Sequence, residues 1–270
     1  MGRLSAILII PIILAASCAQ PGHITRPSPG QRLPELIIVY DNNPFDSRLK
    51  AAWGFSCLVR LPERTILFDT GGASSTLLYN MRQLQIDPKE VEVVVLSHIH
   101  GDHVGGLGGF LEQNNNVTVY LPRSFPQGFK DDIRFLGAKV EEIYEAKELM
   151  PGVYSTGELG DGIKEQSLII TTSQGLAVIT GCAHPGVVNI IQRAKEVAPD
   201  GKVYLVVGGF HLGGASSPEL ESIINSFQQL DVEKVAPCHC SGDQTRQLFK
   251  QRYGTNYIES GVGKIIPLPF

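Results

Sequence analysis

The chain has 270 residues, with 23 Lys or Arg against 27 Asp or Glu, so its formal net charge is −4. Hydrophobic residues make up 43% and charged residues 19%, a balance that excludes a wholly disordered chain. Mild acidity and the lack of a basic stripe in the sequence argue against nucleic acid as a partner.

The first seventeen residues have the pattern of an export signal. Arg3 precedes a nearly unbroken apolar run over Leu4–Leu14, and small residues then stand before Cys18. The run is shorter than the roughly 20 residues that cross a bilayer. We predict a signal peptide over residues 1–17.

The junction at Cys18 also resembles a bacterial lipobox, which implies that this cysteine carries lipid. Cleaved secretion without lipid, an uncleaved anchor and a misassigned start stay open as alternatives. The expected location is the outer face of the cell membrane or the periplasm as a lipoprotein, or the medium as a secreted protein. The lipid would be the only membrane contact.

A tether is predicted over residues 18–34, because residues 21–34 hold four prolines and few large apolar side chains. The following apolar runs predict strands and a helix that begins at Ser74 and ends before Asp87-Pro88. Ser97–Gly106 is predicted to be a loop. The strands predicted in this half are Leu36–Tyr40, Gly54–Leu61, Thr65–Phe68, Val91–Leu96, Val117–Leu121 and Lys139–Tyr144.

The second half alternates strands and helices. Helices are predicted over Gln127–Leu136, Val187–Val197 and Gln244–Tyr253, and from Ser217 onward, where Pro218 stands at the first helical position. The predicted strands are Ser167–Thr172, Leu176–Thr180, Val203–Val207 and Val232–Ala236, the first two forming a hairpin. Together these elements predict one layered α/β domain over residues 35–270.

Four potential metal ligands fall within six residues directly after a predicted buried strand. His98 and His100 are two residues apart, so an extended chain directs both to the same side. Gly101 permits a sharp turn that can direct Asp102 and His103 to a second position nearby. Imidazole and carboxylate groups suit zinc, iron or manganese.

Three further histidines each follow a predicted strand: His184, His211 and His239. Strand ends form the ligand crevice of layered α/β folds, so each is a candidate ligand or a structural histidine. Asp69 also ends a strand. It is predicted to orient a ligand histidine by a hydrogen bond, to cap its own turn, or to do both.

The motif His98-x-His100-x-Asp102-His103 resembles the signature of the metallo-β-lactamase superfamily, as do Asp69 in LFDTG and Gly105-Gly106-Leu107. The segments GCAHPG, GGFHL and PCHCSG, with Asp41-Asn42 and Gly54-Phe55-Ser56, are similar to one branch of it. That branch is the 7,8-dihydropterin-6-yl-methyl-4-(β-D-ribofuranosyl)aminobenzene 5'-phosphate synthase-like group.

The resemblance implies a four-layer αβ/βα sandwich of two mixed β-sheets flanked by helices, with two divalent metal ions at one edge. It implies that His98, His100 and His184 hold the first metal and that Asp102, His103 and His239 hold the second. Zinc is the expected metal, with iron or manganese as alternatives. His211 stands at the place of the usual bridging aspartate, and Cys182 and Cys238 lie close enough in sequence to reach the site.

The resulting hypothesis is a metal-dependent hydrolase that uses a metal-bound hydroxide on an ester, lactone, amide or phosphoester of a small-molecule substrate. Asp102 would orient the water and take its proton, and His211 would donate a hydrogen bond to substrate. A transferase of the synthase type and a non-catalytic metal-binding surface protein are alternatives. The segments 144–162 and 51–55, the latter with Trp53, are candidate lids.

Overall fold

The computed structural model describes Gly2 and residues 33–198 and 201–270. The predicted signal peptide, Cys18 and residues 18–32 of the predicted tether lie outside these described residues. Among the described residues, no helix has the length and apolar character needed to cross a membrane.

Thirteen strands and seven helices follow one another in the described ranges. The strands are β1 Glu35–Tyr40, β2 Ser56–Arg60, β3 Thr65–Phe68, β4 Val93–Val95, β5 Thr118–Pro122, β6 Lys139–Ile143, β7 Lys147–Met150, β8 Val153–Ser155, β9 Leu168–Thr172, β10 Gly175–Thr180, β11 Val203–Gly209, β12 Val232–Cys238 and β13 Ile265–Pro267. The helices are α1 Ser74–Gln83, α2 Gly101–Val104, α3 Leu107–Gln113, α4 Gln127–Phe135, α5 Val187–Val197, α6 Ser217–Gln229 and α7 Asp243–Tyr253.

The strands form two mixed sheets. The seven-stranded sheet has the order β13-β1-β2-β3-β4-β5-β6, and the six-stranded sheet has the order β12-β11-β10-β9-β8-β7. Strands β3 to β6 run parallel to one another, as do β10 to β12, whereas the hairpins β1–β2 and β9–β10 are antiparallel. The crossovers that bring parallel strands together leave their carboxyl ends at one edge of the sandwich.

The central strands of each sheet are buried on both faces, which explains why they read as continuous apolar runs, whereas the edge strands β6, β7 and β13 are partly exposed. Along β1, Leu36 and Ile38 belong to the core between the sheets, and the alternate residues Ile37 and Val39 pack beneath the helices. Helices α1, α3 and α4 cover the first sheet and α5, α6 and α7 cover the second. The predicted four-layer sandwich is confirmed.

Several local predictions were wrong or incomplete. The loop predicted over 97–106 contains the single helical turn α2, because the amides of His103 and Val104 both donate to the carbonyl of His100. Strand β4 is only three residues long, Val93–Val95, and is shorter than the predicted Val91–Leu96. Helix α3 and strands β7, β8 and β13 were not predicted, because they are short and carry weak apolar periodicity.

Candidate metal centre

Seven side chains predicted from the sequence meet at the edge where the parallel strands end. His98 and His100 follow β4, and Asp102 and His103 lie in α2. From the other sheet, the loops after β10, β11 and β12 supply further histidines, which are His184, His211 and His239. The two sheets thus contribute facing halves of one site.

The first group consists of three histidines. Nε2 of His98 lies 3.1 Å from Nδ1 of His100, and Nε2 of His184 lies 3.2 Å from the same nitrogen. Nitrogen ligands of a tetrahedral ion at about 2.0–2.1 Å are about 3.3–3.4 Å apart. The group therefore has the spacing of a three-histidine metal site.

The second group lies next to the first. Nε2 of His103 is 3.2 Å from Nε2 of His239, which is 3.3 Å from Oδ2 of Asp102. The sulfur of Cys182 joins this group, 3.2 Å from Nε2 of His103. The four donor atoms lie within 4.8 Å of one another, close enough to hold one ion.

Asp69 fixes the orientation of ligands from both groups. Its fully buried carboxylate accepts from the amide and the hydroxyl of Ser97, each at 2.7 Å, and from Nδ1 of His103 at 2.7 Å. Because the hydroxyl of Ser97 donates to Asp69, it accepts from Nδ1 of His98 at 2.9 Å. Both partners of the Asp69 side chain lie outside its own turn, which favours the orienting role over the capping role.

His239 is held by two residues near the start of the domain. Oδ1 of Asn42 accepts from Nδ1 of His239 at 2.9 Å, and Asn42 donates from Nδ2 to the His239 carbonyl at 3.2 Å. The buried carboxylate of Asp41 accepts from the His239 amide at 3.0 Å. The sequence marked these two residues only through the resemblance to the synthase-like branch, since Asn42 and His239 are 197 residues apart.

Glu165 is a site residue that sequence reasoning missed. Its Oε1 accepts from the amides of Gly181, Cys182 and Ala183 at 3.2, 3.0 and 2.8 Å. Its Oε2 accepts from the amide of His184 at 2.8 Å, so one buried carboxylate shapes the whole loop that carries His184. Burial raises the pKa of Glu165 to about 7, although the amides of Ala183 and His184 oppose the rise. An isolated glutamate before a strand carries no signal of this role.

The electrostatics of the metal-free site suit metal binding. Burial and neighbouring histidines lower the pKa of His98, and burial with the charge of His211 lowers the pKa of His184 to about 4. Burial raises the pKa of Asp102, but its hydrogen bond with His239 and the charge of His103 outweigh burial and lower it. At neutral pH His98 and His184 therefore offer imidazole lone pairs and Asp102 offers an ionised carboxylate, which are donors that zinc, iron and manganese take. Burial lowers the pKa of His103, but the charge of Asp69 and the hydrogen bond to it outweigh burial and raise it, so a metal ion must displace a proton from His103.

The tautomers of the histidine rings also favour metal binding. His98, His103 and His239 each use Nδ1 toward a fixed acceptor on Ser97, Asp69 or Asn42. That arrangement leaves the lone pair on Nε2, the atom that faces the other donors. The residues present thus fit two divalent ions on the orientation of their rings as well as on spacing.

His211 and Cys238 lie differently from the ligand groups. His211 is exposed, has φ of 55°, and its ring centre is 4.4 Å from that of His184. Among the residues that the structure describes, it shares a donor group with Cys182 and His184 and not with the group around Asp102. Cys238 is fully buried in the core between the two sheets and belongs to none of the donor groups found among the described residues.

The surroundings of the site include an open cavity and an exposed aromatic ring. A cavity of about 270 Å³ lies beside His184 and His211, and its walls include Val188, Phe210 and Ile223. None of the ten described residues that line this cavity is Lys or Arg. The side chain of Trp53, in the predicted lid 51–55, lies 4.9 Å from His239 between ring centres. The other predicted lid, 144–162, contains β7 and β8.

Comparisons with known proteins agree with this geometry. Residues 54–239 match the family profile of the metallo-beta-lactamase superfamily. A curated relative from Methanocaldococcus jannaschii, 7,8-dihydropterin-6-methyl-4-(beta-D-ribofuranosyl)-aminobenzene-5'-phosphate synthase, is 30% identical, with 83% of this chain and 92% of that protein covered. A ribonuclease Z from Nanoarchaeum equitans is 27% identical over 54% of this chain and 51% of its own length.

Among solved structures, Tm1679, a metal-dependent hydrolase of the beta-lactamase superfamily, is similar with a TM-score of 0.74 and 27% identity. The alignment covers 88% of this chain and all of that one. The likeness therefore extends across both sheets and not only across the histidine motif.

Proposed function

The chain belongs to the metallo-β-lactamase superfamily, and we propose that it is a metal-dependent hydrolase of a small-molecule ester, lactone, amide or phosphoester. The observation that carries this proposal is the pair of adjoining donor groups, each with its ring nitrogens or carboxylate turned inward. Such a pair at a sheet edge suits a reaction in which water attacks a polarised bond.

His98, His100 and His184 would hold the first metal ion, and Asp102, His103 and His239 would hold the second. When bound, the two ions would acidify water and polarise the carbonyl or phosphoryl oxygen of the substrate. Zinc fits this donor set, and iron or manganese would fit it as well.

Two side chains would act on the substrate and water directly. The carboxylate of Asp102 is 22% exposed, so it can orient an incoming water molecule and accept its proton. His211 lines the cavity, where its imidazole can donate a hydrogen bond to the developing oxyanion or the leaving group.

The cavity supports a small and largely uncharged substrate. Its volume of about 270 Å³ corresponds to about nine water molecules at 30 Å³ each, so it would take part of a small molecule. Apolar walls and the lack of basic residues in its lining favour an acyl or ring group over a phosphate at this point.

The test is turnover of aryl ester, lactone, amide and phosphodiester substrates by the metal-loaded chain. Asp102→Asn should lower kcat/KM by about 10²–10⁴-fold, the usual contribution of a general base. Asp132→Asn, at an exposed position of α4, is the matched control and should leave turnover unchanged. Full activity of the Asp102 variant would overturn the assignment. Metal binding without turnover of any substrate would favour the non-catalytic metal-binding protein.

A transferase of the synthase type is the second candidate. The 30% identity to the archaeal synthase over most of both chains favours it. Incubation of the loaded chain with the dihydropterin and aminobenzene ribose phosphate substrates decides between the two activities. Formation of the joined product would replace hydrolysis as the proposed reaction.

The location of the protein rests on its amino-terminal pattern. We propose that the chain is exported and that Cys18 is lipidated, so that the domain is tethered to the membrane. Expression of the full chain with Cys18→Ser should move it from the membrane fraction to the soluble fraction. Retention of the variant in the membrane fraction would contradict lipidation.

A further inference from the structure

The sulfur of Cys182 lies between the two groups of metal ligands. It is 3.2 Å from Nε2 of His103 and shares the second group with Asp102 and His239. It also lies within 4.8 Å of the donor atoms of His184 and His211. His184 belongs to the first group, so this sulfur faces both metal positions.

The backbone around Cys182 is built to hold the sulfur there. The amide of Cys182 donates to Glu165 at 3.0 Å, and the next residue, Ala183, has φ of 63°. Gly209 leaves room opposite, since a Cβ at that position would lie 3.3 Å from Cα of Cys182 and 2.7 Å from the sulfur of Cys240. The Cβ of a larger residue at 209 would also lie 2.4 Å from the carbonyl oxygen of Gly181, so it would displace the backbone next to Cys182 and the sulfur of Cys240.

The distances match those of a sulfur ligand. A tetrahedral ion with Zn–S of about 2.3 Å and Zn–N of about 2.0–2.1 Å sets sulfur and nitrogen about 3.5 Å apart. The observed 3.2 Å from Cys182 to His103 is within a few tenths of this value. Asp102, His103 and His239 supply three donors, and Cys182 supplies a fourth, while the three-histidine position keeps an open place for water.

We propose that Cys182 binds the second metal ion as a thiolate and lies where it also borders the first. Cys182 has donor neighbours in both groups, namely the Asp102 group and His184, whereas His211 is exposed and lies outside the Asp102 group. Binding replaces the S–H bond by a sulfur–metal bond and releases one proton to solvent. This inference rests on the metal-binding part of the proposed function and not on hydrolysis.

Cobalt(II) is the probe, because thiolate ligation gives an intense charge-transfer absorption in the near ultraviolet that nitrogen and oxygen ligands do not give. The full chain is stripped of metal, reduced, and titrated with cobalt while absorbance and bound metal per chain are measured. We expect the charge-transfer band in the wild type and its loss in Cys182→Ser. At a free cobalt concentration that just saturates the wild type, bound cobalt should fall from two toward one per chain in Cys182→Ser.

Cys240→Ser is the matched control, because Cys240 lies beside Cys182 but in none of the donor groups found in the described residues. The charge-transfer band should persist in Cys240→Ser. Cys182→Asp provides a second variant, which should keep two cobalt ions without the band. Circular dichroism checks that each variant is folded.

Three results would overturn the inference. They are two cobalt ions bound by the wild type without a band, an unchanged band in Cys182→Ser, and loss of the band in Cys240→Ser alone. A band that depends on Cys182 in a chain without hydrolytic turnover would support this inference while contradicting the proposed activity.

Discussion

Replacement of Asp69 by Asn tests whether this carboxylate sets the orientation of the metal-ligand histidines. The carboxylate accepts from Nδ1 of His103 and from both donors of Ser97, each at 2.7 Å. In Asp69→Asn, an amide NH₂ takes the place of one acceptor oxygen. Where this group faces Nδ1 of His103, the imidazole must accept there, and its proton moves to Nε2. The lone pair that faces the second metal position would then be lost.

The size of the effect follows from the contacts. A hydrogen bond to a charged group contributes about 1.5–3 kcal/mol, so the metal-free variant should be less stable by about that amount. Loss of a carboxylate partner typically weakens metal binding by about 10–100-fold. That range equals about 1.4–2.7 kcal/mol in binding free energy. The second position should therefore weaken while the first, through His100 and His184, changes less.

Three measurements check the orienting role of Asp69. Urea unfolding of the metal-free chain gives the change in stability, and competitive titration with a chelating dye gives the two metal affinities separately. Nitrogen-15 NMR of the imidazoles reports whether the proton of His103 is on Nδ1 or Nε2. Asp132→Asn, which changes an exposed carboxylate in α4, is the control and should shift stability by less than about 0.5 kcal/mol.

Two outcomes would contradict this role. If Asp69→Asn keeps both metal affinities and His103 keeps its proton on Nδ1, Asp69 does not set the tautomer. A variant that loses stability but binds metal normally would mean that Asp69 only stabilises the chain at the end of β4.

Further predictions concern the other supports of the site. In Glu165→Gln an amide N–H faces the backbone amide of His184, so two donors meet and the free energy of unfolding should fall by about 1–3 kcal/mol in a urea titration. Glu112→Gln changes an exposed carboxylate and is the control, which should leave the free energy of unfolding unchanged. Asn42→Ala frees Nδ1 of His239 and should weaken the second metal position by about 10–100-fold in cobalt titration, and equal affinity would contradict its role. Removal of the metal ions by a chelator should lower the thermal unfolding midpoint, because a metal ion at about 100 times its Kd adds about 2.7 kcal/mol of stability. An unchanged midpoint would mean that no metal was bound. His211→Ala should keep two metal ions per chain by elemental mass spectrometry and lower kcat, whereas loss of one ion would make His211 a ligand.

Much of the architecture could be predicted from the sequence. Long apolar runs such as Leu36–Tyr40 and amphipathic helices such as Val187–Val197 have periodicities that fix their type locally. The metal-binding role of the cluster from His98 to His103 could also be predicted, because three imidazoles and a carboxylate within six residues rarely occur together without a metal to bind. Histidines after strands predicted which loops would converge, since parallel strands end at a common edge.

What the sequence could not supply are the partners that depend on distant chain segments. Glu165 contacts a loop that begins 16 residues further on, and Asn42 contacts His239 across 197 residues. No local pattern encodes such contacts, because the first exists only once β9 and β10 have paired, and the second only once β1 lies in one sheet and β12 in the other.

The positions of Cys182 and His211 show the same division most clearly. Both stand just after a strand in sequence, and the resemblance put His211 at the place between the metals. Only the tertiary structure, with Glu165 bending the chain at Ala183 and with Gly209 making room, brings the sulfur of Cys182 inward and leaves His211 at the surface. Sequence determined which chemical groups reach this edge; packing between the two sheets decided which of them face one another.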